Sequence, residues 1–152
     1  MNSYITKSFQ EMYLSSIGID FRTIKTLNKT RFLFLDSYRW GGFFDSQVKA
    51  YIKNADAVIL LFDLSEKEDF DNLPKLLNMI TEIHELKDFP VLLIGNKSDL
   101  EIKVNKNEIE KFLDKENFIG YFEVSSKTNK NVDESVDFMV NYIYKKEKKK
   151  FL

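Results

Sequence analysis

Hydrophobic residues in this 152-residue chain fall into unbroken blocks and helically spaced stripes. Ala57-Val58-Ile59-Leu60-Leu61-Phe62 and Val91-Leu92-Leu93-Ile94 are unbroken. A strand apolar at every position is buried on both faces, as a parallel sheet covered by helices requires. Ile19 to Leu27 and Thr30 to Asp36 are rich in β-branched and aromatic residues, and the polar link Asn28-Lys29 between them predicts a β-hairpin. Phe44, Val48, Tyr51 and Ile52 give Phe43 to Lys53 a helical period. Leu73, Leu77, Ile80 and Ile83 mark one face of a helix running to about Leu86, with Asp71-Asn72 as capping residues and Pro74 in the first turn. Asn105 with Glu108 three positions on has the form of a capping box, and Ile109, Phe112 and Leu113 give the helix behind it an apolar face. Phe118 to Phe122 is a further predicted strand. Val132, Val136, Met139, Val140 and Ile143 are the stripe of a last helix, which Lys145 to Lys150 continue into solvent. A hairpin followed by alternating helices and strands predicts one α/β domain over residues 1–152.

The block at Val91 ends, after Gly95, in Asn96-Lys97-Ser98-Asp99. Ligands of open α/β sheets bind outside the carboxyl ends of the strands, where this tetrad falls. A guanine base offers two adjacent donors, N1–H and the exocyclic N2–H2, and the Asp99 carboxylate can accept both. Adenine has no such pair. Asn96 can brace the loop and reach the other base edge, and the aliphatic stem of Lys97 can lie on a base face with its ammonium in water. Asn, Lys, Ser and Asp are also ordinary loop residues, so the tetrad alone leaves a plain connection open. A second polar segment, Ser125-Ser126-Lys127, follows the predicted strand that ends at Phe122.

Taken together, Asn96-Lys97-Ser98-Asp99 and Ser125-Ser126-Lys127 resemble the guanine-recognition motifs of the Ras superfamily of small GTPases. Ser15-Ser16-Ile17-Gly18-Ile19-Asp20-Phe21 looks like the first switch of the Rab branch, and the similarity runs nearly collinearly from about Phe9 to Tyr144. The resemblance implies a P-loop-GTPase-like open sheet with helices on both faces and an antiparallel hairpin at one edge. It further implies GTP or GDP held by Asn96, Lys97, Asp99, Ser125, Ser126 and Lys127, with Mg2+ held through Ser16 and Asp36. Effector or regulator proteins would meet the Ser16 to Phe21 and Trp40 to Phe44 regions, in vesicle traffic or signalling.

Two departures from the family pattern shape the expectation. Asp36 stands at the start of the DxxG motif, but the residues are Asp36-Ser37-Tyr38-Arg39-Trp40-Gly41-Gly42, with Arg39 at the collinear position of the glycine and Gly41 aligning to it only through a two-residue insertion. The glutamine that orients the attacking water has no counterpart after it, and Gln47 is the nearest. No G-x-x-x-x-G-K-[ST] occurs in these residues, so the family's first strand and its phosphate loop are expected to be missing. Charge-assisted hydrogen bonds contribute about 1.5–3 kcal/mol each, so four or five fewer remove roughly 6–15 kcal/mol of nucleotide binding. Weak guanine binding without hydrolysis, a pseudo-GTPase interaction module, and an ordinary GTPase whose front is absent from the sequence are the readings in play. For the fold, the missing first strand predicts either a marginal protein or a sheet of five strands with the strands at Arg31 to Asp36 and Ala57 to Asp63 paired directly.

Composition narrows the rest. With 43% hydrophobic and 31% charged residues the chain is that of a folded domain. The balance of 23 basic against 24 acidic residues gives no basis for a nucleic-acid groove. No cysteine is present, so disulfides and thiolate metal sites are excluded and no prenylation anchor is evident. The expected setting is cytoplasmic or peripheral to membranes. His84, the single histidine, is read as a surface or edge residue, and Asp63 and Glu66 as loop-capping acids.

Overall fold

Among the described residues, five strands form one sheet in the order β1-β2-β3-β4-β5. They are β1 (Ile19–Thr23), β2 (Arg31–Asp36), β3 (Ala57–Asp63), β4 (Val91–Asn96) and β5 (Gly120–Glu123). The helices are α1 (Asp45–Asn54), α2 (Lys67–Asp71), α3 (Leu73–Thr81), α4 (Lys106–Lys115) and α5 (Val132–Lys150). This computed structural model describes residues 19–23, 31–36 and 45–150. Ser16 and the Trp40 to Phe44 segment therefore lie outside the described residues.

β1 pairs antiparallel with β2, from Ile19 opposite Leu35 to Thr23 opposite Arg31. β2 to β5 are mutually parallel. β2 lies directly against β3, with Phe32 opposite Ala57 and Asp36 opposite Leu61. Among the described residues, the expected direct pairing of the strands at Arg31 to Asp36 and Ala57 to Asp63 is thus present.

The period of two in the strands divides the core between the two faces. Val58, Leu60 and Phe62 of β3 join Leu33, Leu35, Val91 and Leu93 on the first face. Val48 and Ile52 of α1, Phe70 of α2, Leu73, Leu76, Leu77 and Ile80 of α3 and Ile109 of α4 pack onto it. Ala57, Ile59 and Leu61 join Phe32, Phe34, Leu92 and Ile94 on the second face, under Val132, Val136, Met139 and Ile143 of α5. The topology dictates this division. When parallel strands are added always on the same side, right-handed crossovers put every connecting helix on one face. Among the described helices, α5 alone connects no strand pair and is free to cover the other.

Several expected boundaries move, each for a packing reason. The helix from Leu73 ends at Thr81, not Leu86, because the chain must turn back to enter β4 at Val91. In that turn the His84 ring stacks on Phe89 at 3.8 Å and its Nε2 meets the Ile52 carbonyl at 3.0 Å. Asn72 precedes α3 without a side-chain cap bond, and the short helix α2 takes up the residues before it. Asn105 does cap α4, its side chain accepting from Asn107 N–H at 2.8 Å. Glu108 does not close the box; its carboxylate pairs with Lys67 at 3.1 Å. β5 begins at Gly120 because Phe118 turns inward to pack its ring on Phe112 at 5.4 Å. α5 runs to Lys150, yet Glu147, inside the lysine run, is buried.

Candidate functional site

Among the described strands, neighbouring connections diverge at one place. The chain leaving β4 runs to α4 on the first face, and the chain leaving β5 runs to α5 on the second. Divergent exits open a crevice at the carboxyl ends of adjacent strands, which is where α/β sheets bind ligands. The two polar segments singled out in the sequence flank this crevice.

β4 reaches it under tight constraint. A Cβ on Gly95 would lie 2.9 Å from Tyr121 Oη and 3.0 Å from Leu64 Cδ2, so a side chain there would force the residues between β5 and the end of β3 to shift. Asn96 ends the strand with 1% of its surface exposed. Its Oδ1 accepts from Ser126 N–H at 3.2 Å and from Ser126 Oγ–H at 3.4 Å. Asn96 thus ties the two segments together at their base. A second tie joins their backbones, Ser98 N–H donating to Val124 O at 3.0 Å.

A third tie lies at the rim. Ser125, fully buried, donates its hydroxyl to Asp99 Oδ1 at 2.6 Å, and its own Oγ accepts from Thr128 N–H at 3.1 Å. Asp99 itself is exposed. The Ser125 bond holds its carboxyl below the usual aspartate value, with the nearby Lys127 charge adding to the effect. The carboxylate is therefore ionised, oriented before any ligand arrives, and still has lone pairs to offer, since its two oxygens carry about four acceptor sites.

Lys97 has a φ of 60°, a left-handed conformation that costs a residue with a Cβ about 1–2 kcal/mol. Its ammonium pairs with Asp63 Oδ2 at 2.5 Å. Asn129 and Asn131 also have positive φ, at 64° and 57°, but asparagine adopts that region readily. Their turn lets Ser125 N–H reach Lys130 O at 3.1 Å and Asn131 Nδ2 donate to Glu123 O at 2.9 Å, closing the loop on the end of β5. Lys127 and Thr128 stand exposed on it.

The sequence-nominated residues thus occupy distinct positions. Asn96, Lys97, Asp99, Ser125, Ser126 and Lys127 all gather at the β4–β5 crevice. Asp36 ends β2 on the same edge of the sheet, two strands away, roughly 10 Å by the spacing of strands. His84 takes part in the turn after α3, away from the crevice. Asp63 was legible only as a loop cap. One of its oxygens does cap, accepting from Ser65 N–H at 2.8 Å and Ser65 Oγ–H at 2.6 Å, while the other holds Lys97. The signal that pairs them is the β3–β4 register, Asp63 opposite Asn96, which no local pattern reveals.

Residues 1–145 match the model of the Ras family. The mouse Ras-related protein Rab-12 is 35% identical over 152 residues, covering 96% of this chain and 61% of the mouse protein. The bovine Ras-related protein Rab-13 is 35% identical over 133 residues, 84% of this chain and 64% of that protein. Ras-related protein Rab-32A of Dictyostelium discoideum is 31% identical over 156 residues, covering 95% of this chain and 70% of its own length. The chain spans about three fifths of the length of the Rab-12 proteins it matches. The divergent crevice, the joined polar segments and these matches over nearly every residue have one account: the chain belongs to the Ras superfamily of small GTPases, in its Rab-like branch.

Proposed function

We propose that the chain binds guanine nucleotide through the crevice at β4 and β5, more weakly than an ordinary Rab-like GTPase, and that its hydrolysis is impaired. The observation that carries this is the triple tie between the two loops, through Asn96–Ser126, Ser98–Val124 and Asp99–Ser125. It supports a carboxylate set in advance for two adjacent donors, as the N1 and N2 groups of guanine provide. Lys97 would lie along a base face, and Ser126 and Lys127 would border the base edge. Ser125, being fully buried, would act through Asp99 and not by contact.

At the phosphate end, Mg2+ would be held through Asp36 and Ser16. Mg2+ takes most of its ligands from water and phosphate oxygens, so one or two protein oxygens fit its needs. The bound ion would supply charge neutralisation for the phosphates. Asp36 is suitably placed on the carboxyl edge, and among the described residues no cluster of His, Cys, Asp or Glu offers a rival metal site. Arg39 in the DxxG position and the lack of a glutamine directly after it support impaired hydrolysis.

A role in vesicle traffic or signalling accords with the Rab-like membership, with effector or regulator proteins meeting the Ser16 to Phe21 and Trp40 to Phe44 regions. The cytoplasm or a membrane periphery is the proposed setting; no described helix is long and apolar enough to cross a membrane. The pseudo-GTPase reading shares these surfaces and dispenses with nucleotide. Titration calorimetry with guanosine, GDP and ADP separates the two. Measurable binding of guanosine and GDP without ADP supports nucleotide recognition, absent responses to all three leave the interaction module, and equal binding of all three would remove the guanine selectivity.

A further inference from the structure

We propose that Asp63, outside both recognition loops, is a positioning residue for the base site: it pins the Lys97 ammonium so that the lysine stem is fixed as a platform and kept off Asp99. This rests on the guanine reading of the crevice.

Asp63 is built as a rigid anchor. Only 8% of it is exposed, and Ser65 grips its Oδ1 with both backbone and side chain. Its own N–H donates to Asp69 Oδ2 at 3.3 Å. Next to it, Leu64 N–H donates to Asn96 O at 2.9 Å, so the end of β3 and the start of the recognition loop move as one piece. The free Oδ2 of this anchored carboxylate then takes Lys97 at 2.5 Å.

Lys97 is consequently held at both ends. Its backbone is fixed in the left-handed region with the following N–H committed to Val124, and its ammonium is fixed on Asp63. An unrestrained lysine samples many rotamers, and ordering it would be charged against ligand binding. Held this way, the stem is ordered beforehand although about half the side chain, 49%, remains exposed. Charge gives a second reason. Lys97 and Asp99 are two residues apart, and a released ammonium would be drawn to the one carboxylate that the base needs as an acceptor. Asp63 removes that competition and leaves the lysine end of the crevice near neutral.

A double-mutant cycle with Asp63→Asn and Lys97→Met, read by guanosine titration, tests the role. Guanosine carries no phosphate, so the readout is confined to the base end. Asp63→Asn is expected to weaken guanosine about 5- to 30-fold in the wild-type background and less than about 2-fold when Lys97 is already Met. Asp63→Glu, which keeps the charge, is expected to retain most of the affinity. A measurement on the unsubstituted chain covers the case in which Asp63→Asn does not fold. Raising NaCl from about 0.05 M to about 1 M is expected to weaken guanosine by screening the half-exposed pair, and to do so less in Lys97→Met. Equal losses from Asp63→Asn in both backgrounds, or wild-type affinity in Asp63→Asn, overturn the role of Asp63. No guanosine binding by the wild type overturns the base-site reading itself, a distinct result.

Discussion

Ser125 stands between Asp99 and the backbone of its own loop, giving one hydrogen bond to the carboxylate and accepting another from Thr128 N–H. A hydroxyl can do both at once, and no apolar residue of the same size can do either. The buried serine thereby transmits the shape of the loop after β5 to a side chain on the loop after β4.

Ser125→Ala is expected to cost about 1–3 kcal/mol of stability, because Thr128 N–H is left without its acceptor in a partly buried turn. Urea denaturation measures this. The same substitution frees Asp99 to rotate, so guanine-nucleotide affinity is expected to fall while the preference of guanine over adenine survives. Unchanged stability would mean that the loop is held without Ser125.

Gly95→Ala puts a methyl group where Tyr121 Oη and two Leu64 carbons already stand within 3.0 Å. Leu64 is fully buried and cannot yield cheaply. Overpacking of this kind costs about 1–3 kcal/mol. Thermal melting is expected to show that loss, and an unchanged melting temperature would show that the Tyr121 side chain simply swings aside.

Acid is expected to weaken the fold through Asp63. Burial raises its carboxyl pKa, but the Lys97 and Ser65 contacts outweigh burial and hold it below the ordinary 3.8. Between the folded and unfolded values the unfolded chain binds more protons, so stability falls as pH falls. The contribution is complete above the unfolded value and disappears as pH drops through the folded one. Asp99, also lowered, acts in the same direction. Urea midpoints followed from about pH 6 to about pH 3 should therefore decline less steeply in Asp63→Asn than in the wild type. Parallel curves would contradict the assignment.

Much of this molecule is legible in the sequence because its strands are nearly pure blocks. Val58 to Phe62 and Val91 to Ile94 read as strands buried on both faces and are so, and the stripe from Val132 to Ile143 finds its face directly. The polar segments at Asn96 and Ser125 could be placed at strand ends for the same reason. What stayed hidden depends on register and turning. The end of α3 at Thr81 is set by the stacking of His84 on Phe89, a contact between residues that no helical period relates. The pairing of Asp63 with Lys97 needs β3 and β4 aligned residue by residue, and Glu108 leaves its expected cap for Lys67 on another helix. Such partners are chosen by the tertiary fold, and local pattern carries no trace of them.

Hydrolysis by these 152 residues is expected to be negligible. Positioning and charge stabilisation carry most of phosphoryl-transfer catalysis, and these residues contain no G-x-x-x-x-G-K-[ST] and no glutamine directly after the DxxG position, Gln47 being the nearest. A single-turnover assay with protein in excess checks this, and Mg2+-dependent cleavage of GTP well above buffer would contradict it.

Base selection by Asp99 is the claim on which the rest depends, and Asp99→Asn reverses it chemically without changing shape. Asparagine places a donor where the guanine N2 group needs an acceptor, whereas xanthine presents a carbonyl at that position. One lost charge-assisted bond of about 1.5–3 kcal/mol corresponds to about 10- to 150-fold in affinity. The decisive measurement is competition binding of GDP, XDP and ADP to the wild type and to Asp99→Asn. GDP favoured by the wild type, XDP favoured by the variant and ADP taken by neither is the predicted result; ADP displacing as well as GDP, or an unchanged preference in Asp99→Asn, would contradict it.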